Sequence, residues 1–249
     1  MQAKKLRIAS LIITHNRIDE AKAQMDIIRE FWQPNFGSLD IYHEYNGQKD
    51  WYPQKYKEDS LHRNKKMSHF LGVNHMLSQG MKHVLNSGKK YDFIIATSAD
   101  VWFFDPKKLK KVILSCYKKR AQLATSLWMG VALGTEFFII TPELAKKAFP
   151  LKLTALIKRY KLMDWVNLGK IGIFETLFTL QMIRLLKNPQ KIYLIPGRRV
   201  VLPTNRYWSP SFYASHHDRN KRKRDILSKI KSITGDNLGN MPSLHKFLV

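Results

Sequence analysis

An acid, Asp100, stands in the stretch Tyr91 to Asp105, YDFIIATSADVWFFD, just after a short apolar run. β-Branched and aromatic residues dominate that run, which predicts a buried parallel strand. Open α/β sheets bind ligands outside the carboxyl ends of their strands, and Asp100 would sit there. A carboxylate in that position can hold a divalent cation or a sugar or ribose hydroxyl; the plainer alternative is an acid at a strand-to-loop turn. Polar groups recur at comparable places. Thr14-His15-Asn16-Arg17 close the apolar LRIASLII, Glu44 and Asn46-Gly47 close a second run, and Ser98-Ala99 lead into Asp100. Further on come Gly172-Ile173-Phe174-Glu175-Thr176 and His216-His217-Asp218. Glu175 is either a reactive carboxylate or a first-turn acid favoured by a helix dipole. The histidine pair is either a ligand pair or ordinary surface.

The elements that must position these groups follow from periodicity. Residues 6–14 predict a strand, and Asp19 caps a helix from Glu20 to Trp32 with Ala21, Met25, Ile28 and Trp32 on one face. SLDIYHEYNG is a second strand ending at the Asn46-Gly47 turn. A long polar and aromatic loop follows to about Asn64, either a binding loop or disordered. Lys65 to Asn86 predicts a helix whose apolar stripe includes one polar member, Asn74, a brace for a neighbouring loop or a ligand contact. After the Asp100 strand, Pro106 opens another helix, strands are expected at Gln122–Trp128 and Glu136–Thr141, and Pro142 opens a short helix to Phe149. Helices at Thr154–Met163 and Gly172–Leu186 and a late strand at Lys191–Ile195 complete the pattern. The order β-α-β-α-β-α-β-β-α argues an α/β fold, a mostly parallel sheet flanked by helices. Residues 1–204 are expected to form the main domain, and 205–249 a basic C-terminal extension packed on it or trailing from it.

Composition bounds the partners. Forty-three Lys and Arg against 19 Asp and Glu leave a formal charge of +24, which attracts polyanions: nucleic acid, anionic lipid or phosphorylated substrates. Hydrophobic residues at 44% exclude wholesale disorder. The single cysteine, Cys116, excludes an intrachain disulfide and a cysteine-based zinc cluster, so the reducing cytoplasm is the expected compartment. The opening MQAKKLRIASLIITHNR imitates a signal peptide but runs straight into polar residues, so a first strand is expected instead. In Arg219–Ser232, Ile226, Leu227 and Ile230 fall at helical spacing opposite lysines and arginines. That face suits either anionic lipid, and so peripheral attachment to a membrane, or plain solvation. Dinucleotide, P-loop, zincin and α/β-hydrolase signatures are absent from the chain.

In their order, the strand ending in Thr14-His15-Asn16-Arg17, the strand ending near Glu44 and Asn46-Gly47, the helix with Gly72-Val73-Asn74, the strand into Ser98-Ala99-Asp100, and the helix carrying Glu175 resemble family 2-like glycosyltransferases of the GT-A fold. The resemblance spans residues 6 to about 180. It implies an enzyme that moves a sugar from a nucleoside-diphosphate sugar, such as a UDP- or GDP-sugar, to a glycan or lipid-linked hydroxyl, with inversion. It implies that Thr14, Asn16 and Arg17 lie along the nucleotide, with Glu44 or Asn46 at the base or ribose. Asp100, with Ser98 before it, takes the D-x-D role on the sugar-nucleotide and on any Mg²⁺ or Mn²⁺ bridging its phosphates. Glu175 is implied as general base on the acceptor, and His216 or His217 as a late metal ligand or phosphate contact.

Two departures go with the resemblance. The D-x-D reads Ser-Ala-Asp, one carboxylate short, and Tyr45 stands where an aspartate is common. Arg17, Lys65 or the basic tail would then compensate the diphosphate charge, and metal dependence stays open. Trp51, Tyr52, Trp208 and Tyr213 either stack on sugars or pack their loops. The competing functions are a basic nucleic-acid-binding protein and a noncatalytic nucleotide-sugar or glycan-binding module. Salt separates the first, since phosphate-backbone binding collapses between low and moderate salt.

Overall fold

The computed structural model describes residues 6–15, 17–64, 69–99, 101–103, 106–128, 132–152, 155, 173–199, 213–214 and 241–247. Nine strands are described: β1 (Arg7–Thr14), β2 (Ser38–Tyr45), β3 (Ser60–Arg63), β4 (Phe93–Ser98), β5 (Trp102–Phe103), β6 (Leu123–Trp128), β7 (Ala132–Ile140), β8 (Ile192–Arg199) and β9 (Tyr213–Ala214). The described α-helices are α1 (Ile18–Ile27), α2 (His69–Leu85), α3 (Pro106–Lys118), α4 (Pro142–Ala148) and α5 (Ile173–Leu186). Seven strands form one sheet in the order β3-β2-β1-β4-β7-β6-β8, and β5 pairs with β9 in a separate ribbon. β7 runs against both its neighbours, and the other pairings in the sheet are parallel. This is the expected α/β class, a mostly parallel sheet flanked by helices.

The continuous apolar character of β1 has a direct cause. Ile8 and Ile12 point into a core shared with Met25 and Ile27 of α1 and Ile113 of α3, while Ala9, Leu11 and Ile13 point into a second core under Leu77 and Met81 of α2 and Phe178 of α5. Both faces are covered, so no polar alternation survives in the sequence. α3 carries the opposite signature: it buries Leu109, Val112, Ile113 and Cys116 along one stripe and turns its lysines outward. α2 stops before Gly88, whose φ of +74° is open to glycine at little cost.

Several elements differ from expectation, beginning with α1, which starts at Ile18 and carries Asp19 inside its first turn and not as its cap. The first helix does not end as an α-helix but passes into a π-helical turn, Ile28–Trp32. The loop after Asn46 contains β3, an edge strand paired in parallel with β2 from Tyr42↔Ser60 to Tyr45↔Arg63. Its four partly exposed residues carry no periodic signal, and only the partner strand defines them. β7 starts before Glu136, because Ala132 and Leu133 pair with Trp128 and Leu127 of β6 beyond an irregularity at Thr125/Leu127. The expected helix at Thr154–Met163 falls almost wholly outside the described residues.

Near the C-terminus a 3₁₀ turn, Pro242–Phe247, packs on α1. Met241 and Leu244 are buried in the α1-side core, and the backbone N–H of Ser243 donates to Asp26 Oδ2 at 2.9 Å. The fully buried Asp26 also takes Lys57 Nζ at 2.6 Å and the Tyr56 hydroxyl at 3.0 Å. The basic segment Arg219–Ser232 lies outside the described residues. Among the described residues no helix is long and apolar enough to cross a membrane.

Candidate functional site

β1, β2 and β4 end side by side. Thr14 pairs with Tyr45 and Ile13 with Ser98. Successive strands run outward from β1 to β2 and β3 on one side, while β4 lies on the other, so strand order reverses between β1 and β4. In an open sheet that reversal opens a crevice at the carboxyl edge.

The loops leaving β1 and β2 are stitched together there. The Asn46 N–H donates to the Thr14 carbonyl at 3.0 Å, and His15 Nδ1 lies 2.6 Å from Asn46 Oδ1. With the amide turned this way the imidazole donates from Nδ1, which leaves Nε2 as acceptor. Gly47 makes the stitch possible: a Cβ there would collide with the His15 carbonyl and the Tyr45 hydroxyl. The Tyr45 hydroxyl donates to the Gln48 carbonyl at 2.7 Å. Thr14 Oγ1 is buried and has no hydrogen-bond partner among the described residues. A hydroxyl in that state has unused hydrogen-bonding capacity.

The end of β4 is held as firmly. Ala99 N–H donates to the Ile13 carbonyl at 3.1 Å and Val101 N–H to the Ser98 carbonyl at 3.1 Å. From α1, the Gln24 amide donates to Thr97 Oγ1 at 3.0 Å and to the Val101 carbonyl at 2.6 Å. The Trp102 indole N–H, fully buried, reaches the carbonyls of Glu20 and Ala99, each at 3.2 Å. The residues flanking position 100 on both sides are therefore tied to α1 and β1.

Glu175 reaches the same edge by another route. β7 is antiparallel to β4 and Thr97 faces Phe137, so Thr135 falls beyond the end of β4. The Thr135 hydroxyl donates to Glu175 Oε1 at 2.8 Å. Thr179, one turn on, accepts from Leu133 N–H and donates to the Glu175 carbonyl, each at 2.7 Å. The first turn of α5 is thus fastened to β7 with the Glu175 side chain half-buried.

The remaining expected residues distribute as follows. Arg17 lies beside Glu20, 3.8 Å from its carboxylate, with 40% of its side chain exposed. Ser98 ends β4 half-buried. Glu44 is fully buried and faces α2, with His62, Asn64 and His83 around its carboxylate, two residues before Asn46. Asn74 braces a loop, donating to the Leu151 carbonyl at 3.4 Å. Asn16, Lys65, Asp100, His216 and His217 lie outside the described residues, as does Trp208. Of the two alternatives for Tyr52, stacking on sugar or packing its loop, the structure shows the second: it is buried, and its hydroxyl donates to Glu58 at 3.0 Å. Burial and the Glu58 charge push that phenol far up, so the ring packs the loop down. Trp51 remains 46% exposed.

Gln24, Trp102, Thr135 and Arg63 also shape this edge, and no local sequence signal marks them. Arg63 ends β3 opposite Tyr45 and donates to the carbonyls of Tyr52 and Pro53 at 3.0 and 2.7 Å, which adds a cation at the carboxyl edge. His15, by contrast, carries a signal as a member of the polar group closing β1.

No family model matches the chain, and no curated protein sequence matches it either. Solved structures are similar to it. One is the glycosyltransferase GlyE of Streptococcus pneumoniae TIGR4, at 13% identity and a TM-score of 0.47, covering 95% of this chain and 53% of that one. Another is the mannosyltransferase PcManGT from Pyrobaculum calidifontis, in complex with GDP-Man and Mn²⁺, at 11% identity and a TM-score of 0.49, covering 99% and 69%. The chain spans about half the length of the first.

Proposed function

We propose that the chain is a nucleotide-sugar-dependent glycosyltransferase that passes a sugar from a nucleoside diphosphate to a hydroxyl of a glycan or lipid-linked acceptor, with inversion. The observation that carries this is the convergence at one carboxyl edge: Thr14, His15 and Asn46 at the switch point, Ser98 beside them, and Glu175 hung from Thr135 at the same edge. In this reading Asn46 and Thr14 meet the base and ribose, and Asn16 and Arg17 follow along the nucleotide. Arg17, Arg63 and Lys65 offset the diphosphate charge. Glu175 takes the proton from the acceptor hydroxyl as that oxygen attacks the anomeric carbon, and the nucleoside diphosphate departs on the opposite face.

Asp100 is the carboxylate that would hold Mg²⁺ or Mn²⁺ with the donor phosphates, and His216 or His217 would contribute from the C-terminal region. A hard cation bound there would neutralise charge on the departing diphosphate. Among the described residues of this edge the neighbouring groups are hydroxyl, amide and imidazole with one carboxylate, Glu175, a set that suits sugar and base contacts more than a hard cation. Cationic side chains therefore carry more of the phosphate charge in this proposal than in an enzyme with a full D-x-D. The net charge of +24 also fits an acceptor on an anionic cytoplasmic membrane surface.

The test is thermal-shift binding of UDP, GDP, CDP and their sugars, with Mn²⁺ and with EDTA, on wild type and Asp100→Ala. A shift selective for one nucleotide and lost in the variant supports the donor pocket; persistence in EDTA assigns the phosphate charge to the cations. Glu175→Gln should keep the donor shift and lower turnover by about 100- to 10,000-fold. No shift with any nucleotide, beside tight salt-sensitive binding of RNA or DNA, would replace the transferase with a nucleic-acid-binding function. Donor binding without turnover in wild type would leave the noncatalytic module.

A further inference from the structure

Glu44 is a buried carboxylate with an unusual set of neighbours. The parallel register of β2 and β3 pairs it with His62, and α2 brings His83 over the same strand. His62 Nδ1 lies 2.8 Å from Glu44 Oε2 and His83 Nδ1 3.1 Å from Oε1. The ligand atoms of the three side chains all lie within 4.8 Å of one another. Asn64 donates to Oε2 at 2.6 Å.

The Glu44 side chain is 0% exposed, and among the described residues no lysine or arginine is paired with it. A buried carboxylate is costly without a counter-charge. Among the described groups around it, that charge can come from an imidazolium or from a bound cation.

We propose that Glu44, His62 and His83 form a binding site for a zinc-class divalent cation, separate from any cation at the donor phosphates. Two imidazoles and one carboxylate are a zinc-type donor set that leaves a fourth, open position. Hard Mg²⁺ and Ca²⁺ prefer sets made of oxygen. The surroundings match ligand duty. His83 Nε2 lies 2.9 Å from Ser60 Oγ, so with Nε2–H donating to the hydroxyl, Nδ1 presents its lone pair toward Glu44. Outer partners of this kind fix tautomer and ring orientation in metal sites. The His62 and His83 side chains are 45% and 31% exposed, which gives the ion a path from solvent to the buried oxygen.

The site would add a shared tie to three elements, β2, β3 and α2, that already meet through the β2–β3 ladder and the Ser60–His83 contact. β3 is a short edge strand, and the loop before it carries Trp51 and Tyr52 beside the crevice. A cation shared by β2, β3 and α2 pins that loop's C-terminal end to the helix. This role does not rest on the glycosyltransferase reading, and it can stand or fall without it.

The experiment uses the full-length protein stripped with chelator and titrated with Co²⁺, then with competing Zn²⁺, followed by the visible d–d absorption of tetrahedral Co²⁺ and by melting temperature. The expected result is equimolar binding, displacement by Zn²⁺ but not by Mg²⁺, and a higher melting temperature with Zn²⁺. His62→Ala, at the most exposed of the three positions, should retain the wild-type circular dichroism and bind Zn²⁺ about 100-fold more weakly or worse. Asn64→Ala should cost about 10-fold. His83→Gln is the second ligand variant and should behave as His62→Ala does. Absence of Co²⁺ absorption and of a Zn²⁺ shift in wild type overturns the site. So does Zn²⁺ binding of unchanged affinity in both histidine variants, which would place the ion on other histidines such as His216 and His217.

Discussion

Replacing Gly80 by alanine sets two effects of opposite sign against each other. Gly80 lies inside α2, where alanine is favoured over glycine by about 1 kcal/mol, so propensity alone expects a more stable protein. Packing expects the reverse. A Cβ at residue 80 would lie 2.5 and 2.8 Å from the two Leu11 methyl carbons and 2.8 Å from Glu44 Cγ. Carbon atoms in good contact sit about 3.5–4.0 Å apart, so close to 1 Å of overlap must be relieved. Leu11 is fully buried, and the Glu44 carboxylate is held by three side chains, so neither yields freely. Overpacking of this kind costs about 1–3 kcal/mol, and a cost near 2 less the helical gain near 1 leaves about 1 kcal/mol of net destabilisation. Urea unfolding at constant slope measures it as a lower midpoint. Leu11→Ala supplies the discriminating cycle. Alone it opens a cavity and costs about 2–5 kcal/mol, but beside Gly80→Ala the new methyl partly fills that space. The double variant should therefore be more stable than the sum of the singles by about 1 kcal/mol. A Gly80→Ala protein as stable as wild type, or strict additivity in the cycle, would refute the close approach of α2 to β1 and β2.

Three further outcomes are expected. Cys116 is buried and burial pushes its thiol up to about 12, so a thiol reagent should leave the native protein unmodified and react at once in denaturant; fast native-state labelling would contradict the packing of α3. Burial raises the Glu58 carboxyl, but His43 and backbone N–H groups outweigh it and hold the group below its ordinary value near 4.5. The unfolded chain then binds the proton more tightly, so the stabilisation is present above that value and is lost as pH falls through the lower native one; Glu58→Gln should flatten the fall of stability with acid below about pH 4.5, and an unchanged slope would rule the linkage out. Asp26→Ala strips partners from Tyr56, Lys57 and Ser243 at once. Unpaired buried polar groups cost about 1–3 kcal/mol each, Lys57 can return to water, and so a loss of about 2–4 kcal/mol is expected in urea unfolding, with early protease sensitivity near residues 241–247.

What could be read from the chain divides along the range of the interaction. β1 and β4 are visible because covering both faces of a central strand demands an unbroken apolar run. α3 is visible because one face meets the core and the other meets water. β3 is not visible: four residues at a sheet edge acquire their state from β2, and no local pattern records that. The same holds at the candidate site. The polar groups closing β1, β2 and β4 stand out as positions, but His15 and Asn46 are 31 residues apart and Thr135 and Glu175 are 40 apart. Those partnerships are set by strand register and by the β6–β7 pairing, which leave no trace in composition.

Glu44 and Tyr45 show how much a single step matters. An aspartate expected at position 45 and a glutamate found at 44 look like one acid displaced by a residue. Along a strand, however, neighbouring side chains leave opposite faces. Tyr42 packs on the α2 side, Ile41 on the α1 side, and the alternation sends Glu44 under α2 while Tyr45 goes the other way. Gly80 then lets α2 close over Glu44, and its carboxylate oxygens are held by His62, Asn64 and His83. On the other face Tyr45 uses its hydroxyl on the Gln48 carbonyl and shapes the loop instead of offering charge. The acid at 44 therefore leaves the strand on the face opposite to that of position 45. Recognition of a base or ribose at this strand end falls, in the proposed function, to Asn46, and the Glu44 carboxylate faces α2, where the proposed cation would bind.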